Sequence, residues 1–256
     1  MKNFSIKGND LQILEINLNP QEEIIAEAGM LTYMQSGIKY EAKFSTGQNK
    51  GFWGSVTSGV KRLMVGESLF LTHFYNNSTE NRKIGFAAPY PGQIIKIDLS
   101  QMPGNIIYAQ KDSFLCAEKN IDIDIYFNKK IGTGLFGGEG FILESLKGQG
   151  VAFLNAGGTV IEKELNNDEI FIDTGCLVAF SEGIEFNIKL AGNLKTMIFG
   201  GEGIFLAHLK GSGKIWIQSM PFSRLADKII QLAPNVGGSA QGEGSVLGNM
   251  VNIFKD

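Results

Sequence analysis

The chain repeats one pattern three times, and this repetition constrains its fold more strongly than any single residue does. Strict alternation of apolar and polar residues occurs at positions 38–44, 121–127 and 184–190. Each alternating segment precedes a turn in which glycine comes directly before glutamate, and these glutamates are Glu67, Glu139 and Glu202. In the second and third copies both features are offset by the same 63 positions. A fixed internal period indicates tandem copies of one structural unit.

Each copy also contains further short apolar segments. An opening segment that ends in leucine occupies 13–18, 94–99 and 160–165, with turn residues after it, at 166–168 in the third copy. A continuous apolar segment follows each glycine–glutamate turn. Short strands at regular spacing with turn residues between them are typical of all-β folds. The sequence therefore predicts an all-β protein built from three tandem units.

The period and its breaks set the predicted domain boundaries. The β units span residues 1–91, 92–157 and 158–220, and the first contains an insert at 47–64. Residues 221–256 form a C-terminal helix and a glycine-rich tail. We expect Ser223 to be the N-cap of this helix and Pro234 to end it.

The insert carries apolar residues at helical spacing together with basic residues. Its candidate interaction residues are Phe52, Trp53, Lys61 and Arg62. An amphipathic segment of this kind can lie on a membrane surface, and so can the apolar C-terminal tail. The alternative is that both segments pack against the rest of the chain or another subunit. The sequence leaves both interpretations open.

Composition restricts the partners and the compartment. The net charge is −3 and no dense run of lysine and arginine occurs, which argues against a nucleic-acid partner. We expect a cytoplasmic protein, peripheral to the membrane if the insert or tail touches it, because no signal peptide or apolar spanning segment is visible. Cys116 and Cys176 are expected to be reduced thiols, with a disulfide or metal pair as the alternative.

The repeated glutamates and two histidines are the candidates for chemistry. Glu67, Glu139 and Glu202 could form a carboxylate ring that binds cations, or accept backbone hydrogen bonds at turns. His73 and His208 each lie six residues after a glutamate, whereas the second copy has a serine there. They could serve metal binding or acid–base chemistry, or be hydrogen-bonded histidines of a core or interface.

No constellation that catalysis requires is present in the sequence. Residues 132–137 match the glycine pattern of dinucleotide-binding loops, but a strand rather than a helix is predicted after them. No nucleophile elbow or phosphate-binding loop occurs. We expect no enzymatic activity, no catalytic residues, no cofactor and no metal site.

Three motifs carry a family resemblance, at 54–70, 137–141 and 223–226. The chain resembles an uncharacterised prokaryotic family related to mitochondrial biogenesis proteins of the altered-inheritance-of-mitochondria type. The resemblance implies intertwined units similar to the tryptophan RNA-binding attenuation protein subunit, a short double-stranded β-helix. It also implies a homotrimer that forms a nine-unit ring, with opening strands such as 13–18 exchanged between neighbouring units.

These observations favour a non-enzymatic, ring-forming scaffold or adaptor, with the membrane surface as one place of action. The alternative is a ring that binds a small molecule or a nucleic acid. The attenuation-protein ring binds RNA through a regularly repeated basic edge, and the lysines of this chain do not recur at one position of each unit.

Overall fold

The computed structural model describes residues 3–45, 69–129, 141–190 and 205–232. Within these ranges the chain is mostly β, with seventeen strands in three sheets and one α-helix near the C-terminus. The all-β prediction is therefore confirmed. The 47–64 insert and the tail beyond residue 232 lie outside the described residues.

The strands follow the predicted repeat along the chain. The first unit contains β1 (Phe4–Lys7), β2 (Ile13–Leu18), β3 (Glu23–Glu27), β4 (Leu31–Met34), β5 (Ile38–Ser45), β6 (Leu69–Asn76) and β7 (Arg82–Phe86). The second contains β8 (Gln93–Asp98), β9 (Ile106–Gln110), β10 (Phe114–Glu118), β11 (Ile121–Lys129), β12 (Phe141–Gly148) and β13 (Val151–Ala156). The third contains β14 (Val160–Asp173), β15 (Leu177–Ser181), β16 (Ile184–Leu190) and β17 (Phe205–Gln218), and helix α1 spans Phe222–Leu232. Short 3-10 turns occupy Leu99–Gln101, Pro103–Asn105, Lys111–Ser113 and Thr174–Cys176.

The turn predicted at 166–168 is wrong, because β14 runs through these residues as one strand. The pairing of β14 with β17 shifts register between Asn166 and Asp168, which is a β-bulge. Asn167 takes a left-handed φ of 53°, a conformation that asparagine tolerates. Its N–H donates to Ser212 Oγ at 2.9 Å. A local Asn-Asn-Asp cluster thus produces a kink within a strand, where the sequence indicated a break between two strands.

The predicted N-cap is also displaced. The helix begins at Phe222, so Ser223 lies inside its first turn. Pro221 provides the first acceptor, since its carbonyl oxygen receives the N–H groups of Arg224 and Leu225 at 3.1 and 3.3 Å. Proline has a fixed φ suited to a helix start and no N–H to leave unpaired. Pro221 therefore takes the position that the sequence analysis gave to serine.

The units are joined through shared sheets. The strand orders are β1-β2-β7-β4, β5-β6-β3-β10-β13-β8 and β11-β12-β9-β15-β17-β14, with β16 also paired to β17. Strand β10 of the second unit thus lies beside β3 of the first, and β15 of the third lies beside β9 of the second. Strand β2, which the resemblance implies to be exchanged, pairs with β1 and β7 of its own unit. The strands that cross between units are β10 and β15.

Three apolar clusters form the interior of the described residues. The largest contains residues of all three units, among them Ile25, Ala109 and Trp216. A second cluster lies mainly in the first unit, and a third, in the second and third units, contains buried Phe141 and Phe180. The described residues up to Leu225 form one compact unit. Neither cysteine forms a disulfide, and Cys116 is fully buried.

Candidate functional site

Two of the predicted site residues, His73 and His208, lie within the described part of the chain. They belong to β6 and β17, which are strands of different sheets. The other candidates lie outside the described residues, and these are Phe52, Trp53, Lys61, Arg62, Glu67, Glu139 and Glu202. The predictions for those seven residues therefore stay predictions.

Each histidine forms a hydrogen-bonded pair with a glutamate on a neighbouring strand. His73 Nδ1 lies 2.6 Å from Glu23 Oε1, and His208 Nε2 lies 2.8 Å from Glu169 Oε2. The two pairs are equivalent, because each glutamate stands two positions before the residue directly opposite its histidine. The second unit has Ser145 in place of histidine, and its hydroxyl donates to the carbonyl oxygen of a neighbouring strand at 3.4 Å.

The pair in the third unit also contacts aromatic and basic side chains. The His208 ring stacks on Phe171 with the ring centroids 4.6 Å apart. Lys189 Nζ lies 5.0 Å from the Phe171 centroid, a cation–π distance. The hydrogen bond from His208 is the main cause that lowers the pKa of Glu169. The His208 ring is thus held between its stacking contact with Phe171 and its hydrogen bond to the Glu169 carboxylate.

The described residues offer little for metal chemistry. No three histidine, cysteine, aspartate or glutamate side chains among them come together in a way that could hold a metal ion. The two histidines have separate partners on separate sheets. In the described ranges each histidine therefore pairs with one glutamate, and both histidine side chains are partly buried.

Strands β4, β10 and β15 are equivalent members of the three units. Each pairs on one side with the last strand of its own unit, and in each pairing the register shifts after the first residue. On the other side β10 pairs with β3 and β15 pairs with β9. Strand β4 is the end of its sheet and has no second neighbour among the described residues.

Side-chain exposure follows this difference in pairing. Leu31 and Tyr33 of β4 are 38% and 37% exposed. The equivalent residues are completely buried, and these are Phe114 and Cys116 of β10 and Leu177 and Ala179 of β15. The same strand position is therefore interior in two units and a surface edge in the first.

The end of β14 is the counterpart of this open edge. Residues 170–173 of β14 are equivalent to β3 and β9, each of which pairs with a strand on both sides. In the described residues β14 pairs with β17 alone. Phe171 is accordingly 48% exposed, whereas its equivalent Ile25 in β3 is 6% exposed. Among the described residues, β4 and the end of β14 are thus the unpaired equivalents of the two strands that meet at an internal joint.

A polar cluster surrounds Tyr33 at the β4 edge. The Tyr33 hydroxyl donates to Glu15, which also accepts from Lys7 Nζ at 3.0 Å and Lys83 Nζ at 3.1 Å. The Tyr33 hydrogen bond is the largest cause that lowers the pKa of Glu15 to about 2. Burial and the same hydrogen bond raise the pKa of Tyr33 to about 12. The Tyr33 ring covers Gly85, where a Cβ would collide with it.

Comparison with known proteins places the chain in a family. A family model described as mitochondrial biogenesis AIM24 matches residues 4–220. The chain belongs to this family. An uncharacterised protein of Streptococcus pyogenes serotype M6 resembles this AIM24-family chain, with 26% identity over 225 residues and 87% of each chain covered. The crystal structure of a Streptococcus pyogenes protein matches the fold with a TM-score of 0.70 at 24% identity, covering 90% of this chain and 99% of that chain.

The AIM24 match confirms the family resemblance seen in the motifs, and it spans all three β units up to residue 220. The solved structure supports the fold of this AIM24 chain and carries no information on its activity. Within the described residues no helix has the length and apolar character needed to cross a membrane.

Several residues of the site were not found from the sequence. Glu23 and Glu169 are separated from their histidines by 50 and 39 positions, so no local motif joins them. Their only sequence sign is that each directly precedes the second apolar segment of its unit. No sequence feature indicated that Leu31 and Tyr33 are exposed, because their exposure arises where β4 has no second neighbouring strand among the described residues.

Proposed function

We propose that this AIM24-family protein is a non-enzymatic scaffold that assembles head to tail with copies of itself. The end of β14 in one copy pairs with β4 of the next copy. One observation carries the proposal: the strand position that is buried in β10 and β15 is exposed in β4. An open strand edge is a template for pairing with another chain.

The internal joints supply a register for this contact. Ala117 of β10 stands opposite Ile25, and Phe180 of β15 stands opposite Tyr108. The same register sets Met34 of one copy opposite Phe171 of the next. The exposed side chains of both edges then become buried, and covering one leucine or phenylalanine contributes roughly 1.5–3 kcal/mol.

A head-to-tail contact gives a closed ring when its rotation closes, and an open filament when it does not. We propose a closed homotrimer, in which nine units similar to those of the attenuation protein follow one another. This number rests on the family resemblance. The repeated use of one joint within the chain supports it, because the third joint then reproduces the first two.

We further propose that the ring acts at a membrane face, through Phe52, Trp53, Lys61 and Arg62 of the insert and through the tail. The family description, which concerns mitochondrial biogenesis, supports a role connected with a membrane-bound compartment. Flotation with anionic vesicles tests this part. Substitution of Lys61 and Arg62 by serine should abolish flotation. The control is a double variant, Lys39→Ser and Lys163→Ser, which should float to the same extent as wild type.

Native mass spectrometry of full-length protein tests the assembly. We expect a trimer for wild type, and monomers for Leu31→Lys and for Phe171→Lys, because each places a charge at one edge of the joint. Tyr40→Lys is the matched control, since Tyr40 is a 64% exposed strand residue outside the two edges. A wild-type monomer at all concentrations would contradict the proposal, and a trimer carrying a defined extra mass would favour a ligand-binding ring.

A further inference from the structure

The second unit contains a carboxyl group that has no counterpart in the other two. Glu144 lies in β12, opposite Ile125 of β11 and Ala109 of β9. Its side chain is fully buried, and neither carboxyl oxygen has a hydrogen-bond partner. The equivalent positions hold Thr72 and Ala207, which are uncharged. Glu144 is therefore a charged residue at a position that is uncharged in the other two units.

The charged groups around Glu144 come from two elements. Glu27 approaches from the end of β3 in the first unit, and Lys111 and Asp112 approach from the 3-10 turn between β9 and β10. Leu71, directly opposite Glu27 on β6, belongs to the same apolar cluster as Ala109, directly opposite Glu144. The Glu144 carboxyl thus lies where the first and second units pack together.

Other polar atoms at the same 3-10 turn also lack partners: Gln110 Oε1, directly before the turn, and Ser113 Oγ, at its last residue, are both buried without one. An ionised carboxylate in such a place loses its hydration and gains no donor in exchange. A protonated carboxyl group carries no charge and supplies one donor to its surroundings. The environment therefore favours the neutral acid.

We propose that Glu144 is a buried proton-binding site that makes the packing of the first unit against the second sensitive to pH. The carboxyl group is a neutral acid in the folded chain and releases its proton as the pH rises. Burial is the main cause that raises the pKa of Glu144 well above its usual range, and Glu27 adds to it while Lys111 opposes it. This inference is independent of the assembly proposed above.

The direction of the pH effect follows from linkage. Since the pKa of Glu144 is higher in the folded chain than in the unfolded chain, folding is favoured by proton uptake. The full stability is present below the ordinary carboxyl pKa of 4.5 and is lost as the pH rises through the folded pKa. An uncharged Glu144→Gln variant lacks this loss.

Thermal unfolding of full-length protein between pH 5 and pH 9 tests the proposal, with wild type and Glu144→Gln compared at matched concentration. We expect the Tm of wild type to fall relative to the variant by roughly 3–5 °C for each pH unit within the titration window. Glu164→Gln, a change at an exposed position of β14, is the control and should follow wild type. Parallel curves for wild type and Glu144→Gln would overturn the proposal.

A second measurement needs no stable variant. In wild-type protein labelled with 13C at the glutamate carboxyl groups, nuclear magnetic resonance at pH 7 should show one glutamate in the neutral form. Its signal should shift towards the ionised form as the pH is raised. If every glutamate carboxyl is ionised at pH 7, Glu144 holds no proton and the proposal fails.

Discussion

Glu15 and Glu162 occupy equivalent positions in the first and third units, and each accepts a hydrogen bond from an aromatic side chain. Trp216 Nε1 donates to Glu162 at 3.1 Å, and the Tyr33 hydroxyl donates to Glu15. The tryptophan stands on the central strand β17, whereas the first unit has Gly85 at that position and brings its aromatic ring from β4. The aromatic partner of the equivalent glutamates thus comes from the edge strand β4 in the first unit and from the central strand β17 in the third.

The first prediction concerns the contact between Tyr33 and Gly85. A Gly85→Ala substitution should destabilise the protein by about 1–2 kcal/mol, because the new Cβ collides with the Tyr33 ring and displaces it. In a Tyr33→Ala background the same substitution should cost much less, since the ring is gone. Urea unfolding of the two single variants and the double variant measures this coupling. Additive free energies of unfolding would show that the ring does not depend on the glycine.

The second prediction concerns the pKa of Glu15. Because the Tyr33 hydrogen bond is the largest cause of its low pKa, Tyr33→Phe should raise that pKa from about 2 towards its ordinary value of 4.5. A carboxyl with a lowered pKa adds stability above its ordinary value and loses it as the pH falls towards the folded pKa. The variant should therefore have less of this stability above pH 4.5, and its loss on acidification should be smaller and end at a higher pH than in wild type.

A carboxyl titration followed by nuclear magnetic resonance gives the Glu15 pKa directly. Tyr40→Phe is the control, because Tyr40 packs near Phe74 and not near Glu15. An unchanged Glu15 pKa in Tyr33→Phe would assign the shift to Lys7 and Lys83, the next causes.

The third prediction concerns the register of the joint between copies. A mixture of Met34→Cys and Phe171→Cys proteins should form a covalent dimer under mild oxidation, because the internal joints set these positions opposite each other. Either protein alone should form none. Gel electrophoresis without reducing agent measures the product.

The matched control replaces Phe171→Cys by Tyr126→Cys, a 49% exposed residue on β11. Equal cross-linking in this control would mean random collision and would refute the register. A trimer that forms without cross-linking would support the proposed assembly and contradict only the proposed alignment of the two edges.

Local pattern was sufficient to locate much of the fold. The alternating segments at 38–44 and 121–127 form β5 and β11. Alternation of apolar and polar residues matches a β-strand, in which successive side chains point to opposite faces. The segment at 160–165 was also a strand, but its end was not predictable. Whether Asn166–Asp168 form a turn or a bulge depends on Ser212 and the partner strand, which lie far along the chain.

The candidate site was less accessible to sequence reasoning, for a physical reason. The contacts of His73 and His208 depend on which strands are neighbours, and neighbour relations are not local. Glu144 shows the same limit differently: it stands inside an apolar segment, where a polar residue could face water. Its side chain is nevertheless fully buried, and one of the charged groups acting on it is Glu27 of the first unit, which no pattern within β12 records.

The crossing strands β10 and β15 give the chain a direction. Each unit after the first pairs one strand with a strand of the unit before it. A chain with any whole number of units therefore has one unpaired strand edge in its first unit and one in its last unit. Gene duplication could therefore lengthen or shorten such a chain by complete units without altering the chemistry of its two ends. The number of units in a polypeptide and the number of polypeptides in an assembly would then be free to vary against each other over evolutionary time.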